Sequence, residues 1–303
     1  AVVTHGHGDH ARSGNGSVLA TPETLAIMEL RYGHGAGTLQ PLAYGEPIDI
    51  GGVRLTLVPA GHVLGSAQAV LEWKGSRIVV SGDYKRRGDP TCAPFELVRC
   101  DVFVTEATFA LPVFRHPSDV EEIAKLLHMQ SLFPERSVLM GVYVLGKCQR
   151  MIALLRRAGY DRPIYIHGAL AAMCGLYEEL GIRLGDLRPA SGASKEQLKG
   201  QIVLSPPAAG ADRWSRRLPD PIQAAASGWM RVRQRARQRG VELPLVISDH
   251  ADWDELLQTV REVEAEEVWV THGREEALMR AAALMGRKAK ALALVGYEDE
   301  EQE

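Results

Sequence analysis

From His5 to His10 the chain reads His-Gly-His-Gly-Asp-His, which places four side chains able to bind a metal ion within six residues. Side chains of an extended segment alternate from face to face, so His5 and His7 point to one side. Asp9 and His10 follow as the backbone turns and aim at a neighbouring position, so that one segment can serve two metals. Gly6 and Gly8 let the backbone pass close to the ions without side-chain clash. Taken alone, the same six residues also read as a histidine-rich surface turn. Two ions a few ångströms apart need a bridging carboxylate and further imidazoles. Asp83, after the run SRIVVSG, is the candidate bridge. His62 and His272 complete the two shells, giving the mixed nitrogen and oxygen ligation that zinc or manganese accepts. A single histidine near a strand end is more often a satisfied polar residue than a ligand; beside the first cluster the balance reverses.

The positions of these residues follow one plan. Five stretches pair a short apolar or alternating run with a turn that carries a His, Asp or Glu: AVVTHGHGDH, VRLTLVPAGH ending at His62, SRIVVSGDYK with Asp83, DVFVTEAT with Glu106, and EEVWVTHG with His272. A sixth, PLVISDHADW, delivers His250. Strand ends gather such groups because the sheet fixes them and the loop leaves them open to substrate. Between Glu106 and His250 the texture becomes helical and strand-like in alternation, as in SDVEEIAKLLHMQ, SVLMGVYVLG, KCQRMIALLRRAG and RPIYIHG. Ligand-bearing strand ends lie on both sides of that segment, so it reads as an inserted domain. The expected division is 1–108 and 245–303 for the core and 109–244 for the insertion.

Composition sets the outer bounds. With 303 residues, 46% hydrophobic and 24% charged, the chain has the profile of an ordinary globular protein about two domains long. No apolar run reaches the ~18 residues of a membrane span, and no signal-like series opens the chain, so no membrane partner and a cytoplasmic location are expected. Cys92, Cys100, Cys148 and Cys174 form no C-x-x-C pair and read as reduced structural thiols. The net charge of −3 becomes +2 without the acidic tail 298–303 (EDEEQE), which holds five of the 38 acids. The ligand cluster follows almost at once on Ala1, with no Met, and a natural start further upstream, with one more opening strand, is expected.

These residues resemble the metallo-β-lactamase fold in its nucleic-acid-processing branch, beta-CASP, over essentially the whole chain. The H-x-H-x-D-H cluster, His62 and Asp83 look like its second to fourth metal motifs. TEAT with Glu106, SDHADW with His250 and VTHG with His272 look like the three further motifs of the branch, in order. Stretches such as LATPETLAIMELRYG, LPVFRHPSD, LGKCQR and SGWMRVRQRARQRG look more narrowly like the bacterial ligase-associated DNA exonucleases, also described as mRNA 3′-end processing factors. The resemblance implies an α/β fold (α+β in some schemes), a four-layer αββα sandwich carrying an inserted α/β cap, with the active site in the cleft between them. It puts His5, His7 and His62 on one metal and Asp9, His10 and His272 on the other, bridged by Asp83. The cofactor implied is a pair of divalent ions, zinc first and manganese as the alternative. A hydroxide between the ions would attack phosphorus. His250 would protonate the leaving oxygen, held by Glu106, so Asp9, Asp83, Glu106 and His250 form the implied catalytic set. The family's first motif, an Asp in the opening strand region, has no counterpart here. A His at the position of His272 resembles the RNA-processing members and pulls against a DNA substrate.

Nucleic-acid contacts are expected from two segments. Arg231, Arg233, Arg235, Arg237 and Arg239 recur at every second residue near Trp229, and arginine favours bidentate phosphate contact; a solvated basic helix is the other reading. Lys147, Gln149 and Arg150 in YVLGKCQR stand where a strand turns into a helix, a place that grips phosphate. Arg213, Trp214, Arg216 and Arg217 rank below both. The reading is therefore a two-metal nuclease of the repair-exonuclease type acting on DNA, single- or double-stranded, with RNA processing as the alternative. The resemblance also implies a DNA ligase and a helicase as partners. A small-molecule hydrolase of the same fold is a further class, opposed by the 189 positions between Asp83 and His272.

Overall fold

The computed structural model describes residues 1–211 and 213–292, and in it the chain separates into two units, one built from 1–115 and the stretch from His250 onward, the other from 116–249. The acidic tail 298–303 lies outside the described residues. The first unit begins with β1 (Ser17–Ala20), α1 (Pro22–Tyr32), β2 (Thr38–Pro41), β3 (Pro47–Ile50), β4 (Val53–Pro59), β5 (Ala67–Trp73), β6 (Ser76–Val80) and β7 (Val102–Ala107). The second unit holds α2 (Asp119–Leu132), β8 (Val138–Gly141), α3 (Lys147–Arg157), β9 (Ile164–Ile166), α4 (Gly168–Glu179), β10 (Leu187–Pro189), α5 (Lys195–Leu198), β11 (Ile202–Ser205), β12 (Ile222–Ala226), α6 (Arg233–Gln238) and β13 (Leu243–Leu245). The chain then returns to the first unit with α7 (Trp253–Glu262), β14 (Glu267–Gly273), α8 (Glu275–Leu284) and β15 (Lys288–Ala291).

Period-two alternation builds the layers of the first unit. On β4, Leu55 and Leu57 join Ala67 and Ala69 of β5 and Leu19 of β1 in one core, while Val58 and Val70 turn to the opposite face. That second face packs against Trp253, Leu256 and Val260 of α7 and Leu278 and Ala282 of α8. On β1, Val18 and Ala20 point away from Leu19 and pack with Leu25 and Met28 of α1. The sequence of layers is thus helix, two-stranded sheet, seven-stranded sheet, helices: an αββα sandwich. The large sheet runs β15-β14-β7-β6-β5-β4-β3, antiparallel from β3 to β6 and parallel from β6 to β15. The second unit is a six-stranded, all-parallel sheet in the order β10-β9-β11-β8-β12-β13, whose inner strands β8, β9 and β11 read as near-continuous apolar runs because helices cover a parallel sheet.

Local chemistry sets the ends of the elements that carry the site. Thr21 caps α1 by accepting from the Thr24 N–H, and Pro22 occupies the first turn, where no N–H is missed. Asp252 and Glu255 form a reciprocal capping box at the start of α7. Two expectations shift. The opening residues make an isolated bridge, Val2 to Leu19, rather than a strand, because the chain bends away from Thr4 onward. The unit borders fall a few residues after 108 and 244. Phe114 stays with the first unit, its carbonyl accepting from the Trp253 N–H, while Ile247 and Asp249 stay with the second through Lys147.

Candidate metal centre

The turn that follows Val3 brings His5, His7, Asp9 and His10 to the ends of β4, β6 and β14 within the first unit. His5, His7, His62 and Asp83 offer ligand atoms within 4.8 Å of one another, as do His10, Asp83 and His272, and likewise His5, Asp9 and His10. Asp83 is divided between the groups. Its Oδ2 lies 3.4 Å from His5 Nε2 and 3.7 Å from His62 Nε2, and its Oδ1 lies 3.6 Å from His10 Nε2. Asp9 Oδ2 is 3.6 Å from the same His10 nitrogen, and His62 Nε2 is 3.0 Å from His7 Nδ1.

His272 owes its place to a break in the sheet. The β14–β7 register shifts between Val270 and Gly273, and His272 takes φ 58°, a left-handed conformation uncommon outside glycine. Gly273 follows at φ 127°, where a Cβ would come within 2.4 Å of the Ala107 carbonyl oxygen. Only glycine lets β14 pass this close to β7 while the ring turns toward His10, at 5.7 Å between centroids.

Electrostatics prepare these groups as ligands. Burial lowers His5 to about 3, with the neighbouring His10 adding to the effect. Burial also drives His62 well below the usual imidazole value, helped by His250. Both rings are therefore neutral, with lone pairs to give. Burial alone would raise Asp83 and Asp9, but the imidazoles around them, His10 foremost, outweigh it and hold both carboxyls below the ordinary range. Asp83 Oδ1 is buried with no hydrogen-bond partner among the described residues. An ionised oxygen in that state is costly unless a cation faces it. The donor set, imidazole nitrogen and carboxylate oxygen, fits divalent metal ions.

Beside this cluster stands a carboxylate–imidazole pair. His250 Nδ1 lies 3.1 and 3.0 Å from the two oxygens of Glu106, which is buried inside β7. The Tyr84 N–H donates to the same carboxylate at 2.8 Å, and Ala251 N–H donates to the Tyr84 carbonyl at 2.7 Å. Asp83, Glu106 and His250 also gather within 4.8 Å, which makes this pair continuous with the metal cluster. Tyr84 and Thr108, the latter 3.4 Å from His250 Nδ1, were not singled out in the sequence. Their only signal there is position: Tyr84 directly follows Asp83, and Thr108 stands two residues after Glu106.

The expected nucleic-acid contacts divide. Lys147, Gln149 and Arg150 are buried, and their side chains serve the interior of the second unit rather than an open surface. Lys147 Nζ donates to the Ile247 carbonyl at 2.8 Å and to Asp249 at 2.7 Å. Arg150 donates to the Ser248 carbonyl and to Asp119, and Gln149 closes the first turn of α3 on Gly146 and Val144. Arg231, Arg233, Arg237 and Arg239 are exposed around the short α6, and Arg235 lies 4.2 Å over the Trp229 ring. Trp214 packs edge-on against His167 at 4.9 Å and against the core of the second unit, so it serves packing.

Known proteins match this architecture in several ways. Residues 1–141 match the metallo-beta-lactamase superfamily, and residues 245–293 match the Zn-dependent metallo-hydrolase RNA specificity domain. A probable DNA ligase of Opitutus terrae is 27% identical over 278 residues, 90% of this chain and 26% of that protein. Endoribonuclease YSH1 of Gibberella zeae is 31% identical over 180 residues, 55% of this chain and 21% of its own. Cleavage and polyadenylation specificity factor 73 of Drosophila melanogaster is 28% identical over 144 residues, 45% of this chain and 21% of its own. The chain thus spans about a quarter or less of the length of these curated relatives. A crystal structure of a protein of unknown function from Enterococcus faecalis V583 shares the fold, with TM-score 0.64 and 13% identity over 98% of this chain and 79% of that one. No helix among the described residues is long and apolar enough to cross a membrane.

Proposed function

Since the chain belongs to the metallo-β-lactamase superfamily, in its beta-CASP branch, we propose that it is a metal-dependent nuclease hydrolysing phosphodiester bonds of nucleic acid. The observation that carries this reading is the division of Asp83 between His5 and His62 on one side and His10 on the other. His5, His7 and His62 would hold one divalent cation, and Asp9, His10 and His272 a second, with Asp83 shared. Zinc suits this imidazole-rich set best, with manganese as the alternative. When bound, such a pair supplies Lewis acidity, lowering the pKa of water and neutralising charge on phosphoryl oxygens.

The protein's own groups do the rest. No side chain is required as nucleophile. With Nδ1 of His250 engaged by Glu106, Nε2 is the nitrogen that would deliver a proton to the departing oxygen. Tyr84 N–H keeps the Glu106 carboxylate turned toward the ring. The exposed arginines around α6 supply phosphate contact for the strand.

We take the substrate to be DNA and the action exonucleolytic, of the ligase-associated repair type. Support comes from the alignment of 90% of the chain with a protein named a probable DNA ligase. That same alignment supports a ligase as partner. RNA processing is the second reading, favoured by the match of residues 245–293 to an RNA specificity domain and by the endoribonuclease relatives. The test is incubation with zinc or manganese and end-labelled single-stranded DNA, duplex DNA and RNA. Stepwise loss from a DNA end is expected. Internal cuts confined to RNA would replace the DNA reading, and cleavage of none of the three would overturn the nuclease assignment.

A further inference from the structure

Thr4 stands immediately before the histidine cluster, and its hydroxyl faces two rings at once. Oγ1 lies 3.2 Å from Nδ1 of His5 and 3.4 Å from Nδ1 of His10. The opposite nitrogens of the same rings, both Nε2, face the two oxygens of Asp83. A neutral imidazole carries one proton, and the hydrogen bond made by one nitrogen decides which nitrogen keeps a lone pair. A threonine hydroxyl oxygen has two lone pairs and can accept from both N–H groups together.

Thr4 is itself held in place. Its carbonyl accepts from the Ala67 N–H at 2.7 Å, which ties it to the start of β5. Gly82, at φ 55°, packs so closely on it that a Cβ there would come within 2.7 Å of the Thr4 Cβ and 2.8 Å of its Oγ1. Gly82 precedes Asp83, so the contact sets the hydroxyl and the shared carboxylate in register from opposite ends of the two rings.

From this we propose that Thr4 is a positioning residue shared by both metal subsites, accepting Nδ1–H from His5 and His10 so that each ring presents its Nε2 lone pair beside Asp83. The inference rests on the two-metal reading above and adds a coupling to it: one hydroxyl orients a ligand of each ion. Losing an orienting partner of a metal-bound histidine weakens binding by roughly 10- to 100-fold. Here a single substitution weakens both subsites.

The test compares the parent with Thr4→Val, which keeps the branched shape against Gly82 but removes the acceptor, and Thr4→Ser, which restores it. Zinc and manganese binding are titrated against a competing chelator, with the melting temperature of each metal-free protein and the nitrogen chemical shifts of His5 and His10 measured alongside. Expected are two ions in the parent, both at least tenfold weaker in Thr4→Val, recovery in Thr4→Ser, unchanged metal-free melting, and loss of the uniform Nδ1–H tautomer in Thr4→Val. Two ions bound by Thr4→Val as tightly as by the parent, or weakening of one ion alone, would overturn the role of Thr4. A parent that binds fewer than two ions would instead overturn the two-metal reading beneath it.

Discussion

Replacing Glu106 with Gln keeps the size of a buried side chain while removing the charge that faces His250. In the folded protein this carboxylate meets the imidazole with both oxygens, at 3.1 and 3.0 Å, and receives the Tyr84 N–H at 2.8 Å. The amide oxygen of Gln can still accept from Tyr84, so the backbone is not left with an unsatisfied donor. The imidazolium form of His250 loses its ion-pair partner. A hydrogen bond between charged groups is worth ~1.5–3 kcal/mol, and ~1.4 kcal/mol is a factor of ten in rate. The cleavage step should therefore slow by roughly 10- to 150-fold with metal content unchanged. Single-turnover cleavage of a labelled strand at saturating protein reads the step directly, and metal analysis of the same sample reads occupancy. A parent-like rate would refute the assignment of His250 as the acid supported by Glu106. Loss of metal along with the rate would refute it differently, by making Glu106 a ligand, as its place within 4.8 Å of Asp83 allows.

Three further outcomes follow from the same geometry. Lys147→Met should destabilise the protein by about 3 kcal/mol, because it removes the ammonium that faces the buried Asp249 carboxylate at 2.7 Å; an unchanged urea midpoint with weakened nucleic-acid binding would return Lys147 to the substrate surface. In the metal-stripped protein, His5 is lowered to about 3 and His62 well below 6.5, so in that window the unfolded chain binds more protons than the folded one. Stability should then be lost as pH falls from 6.5 toward 3, by up to about 1.4 kcal/mol per pH unit for each ring, and urea melts that stay level from pH 7 to 5 would contradict the burial of these rings. Changing Arg231, Arg233, Arg235, Arg237 and Arg239 together to Gln should weaken nucleic-acid binding and flatten its salt dependence; an unaltered slope would make that surface a solvated face.

What the sequence disclosed depends on the kind of group involved. His5, His7, Asp9, His10, His62, Asp83 and His272 have types rare enough at strand ends to be noticed, and they lie together in the folded first unit. The layers were reached through family resemblance, yet their physical basis is the plain alternation of Leu55, Leu57 and Val58 along one strand. Lys147, Gln149 and Arg150 misled because a basic helix start looks the same whether it faces phosphate or an interior acid. The acid that decides between them, Asp249, is 102 positions away. Tyr84 acts on Glu106 through its backbone N–H, which no residue type reports. Thr4 acts through a hydroxyl common to many turns, and only its distance to two rings distinguishes it.

The central claim is that Asp83 joins two metal subsites in one hydrolytic centre. The most direct measurement is the metal content of the parent and of Asp83→Ala, each paired with cleavage of end-labelled DNA and RNA and with circular dichroism to check folding. The account predicts two ions and metal-dependent cleavage in the parent, and a folded Asp83→Ala protein that has lost both the paired ions and the cleavage. Asp83→Ala protein that still cuts at a rate near the parent's would contradict it.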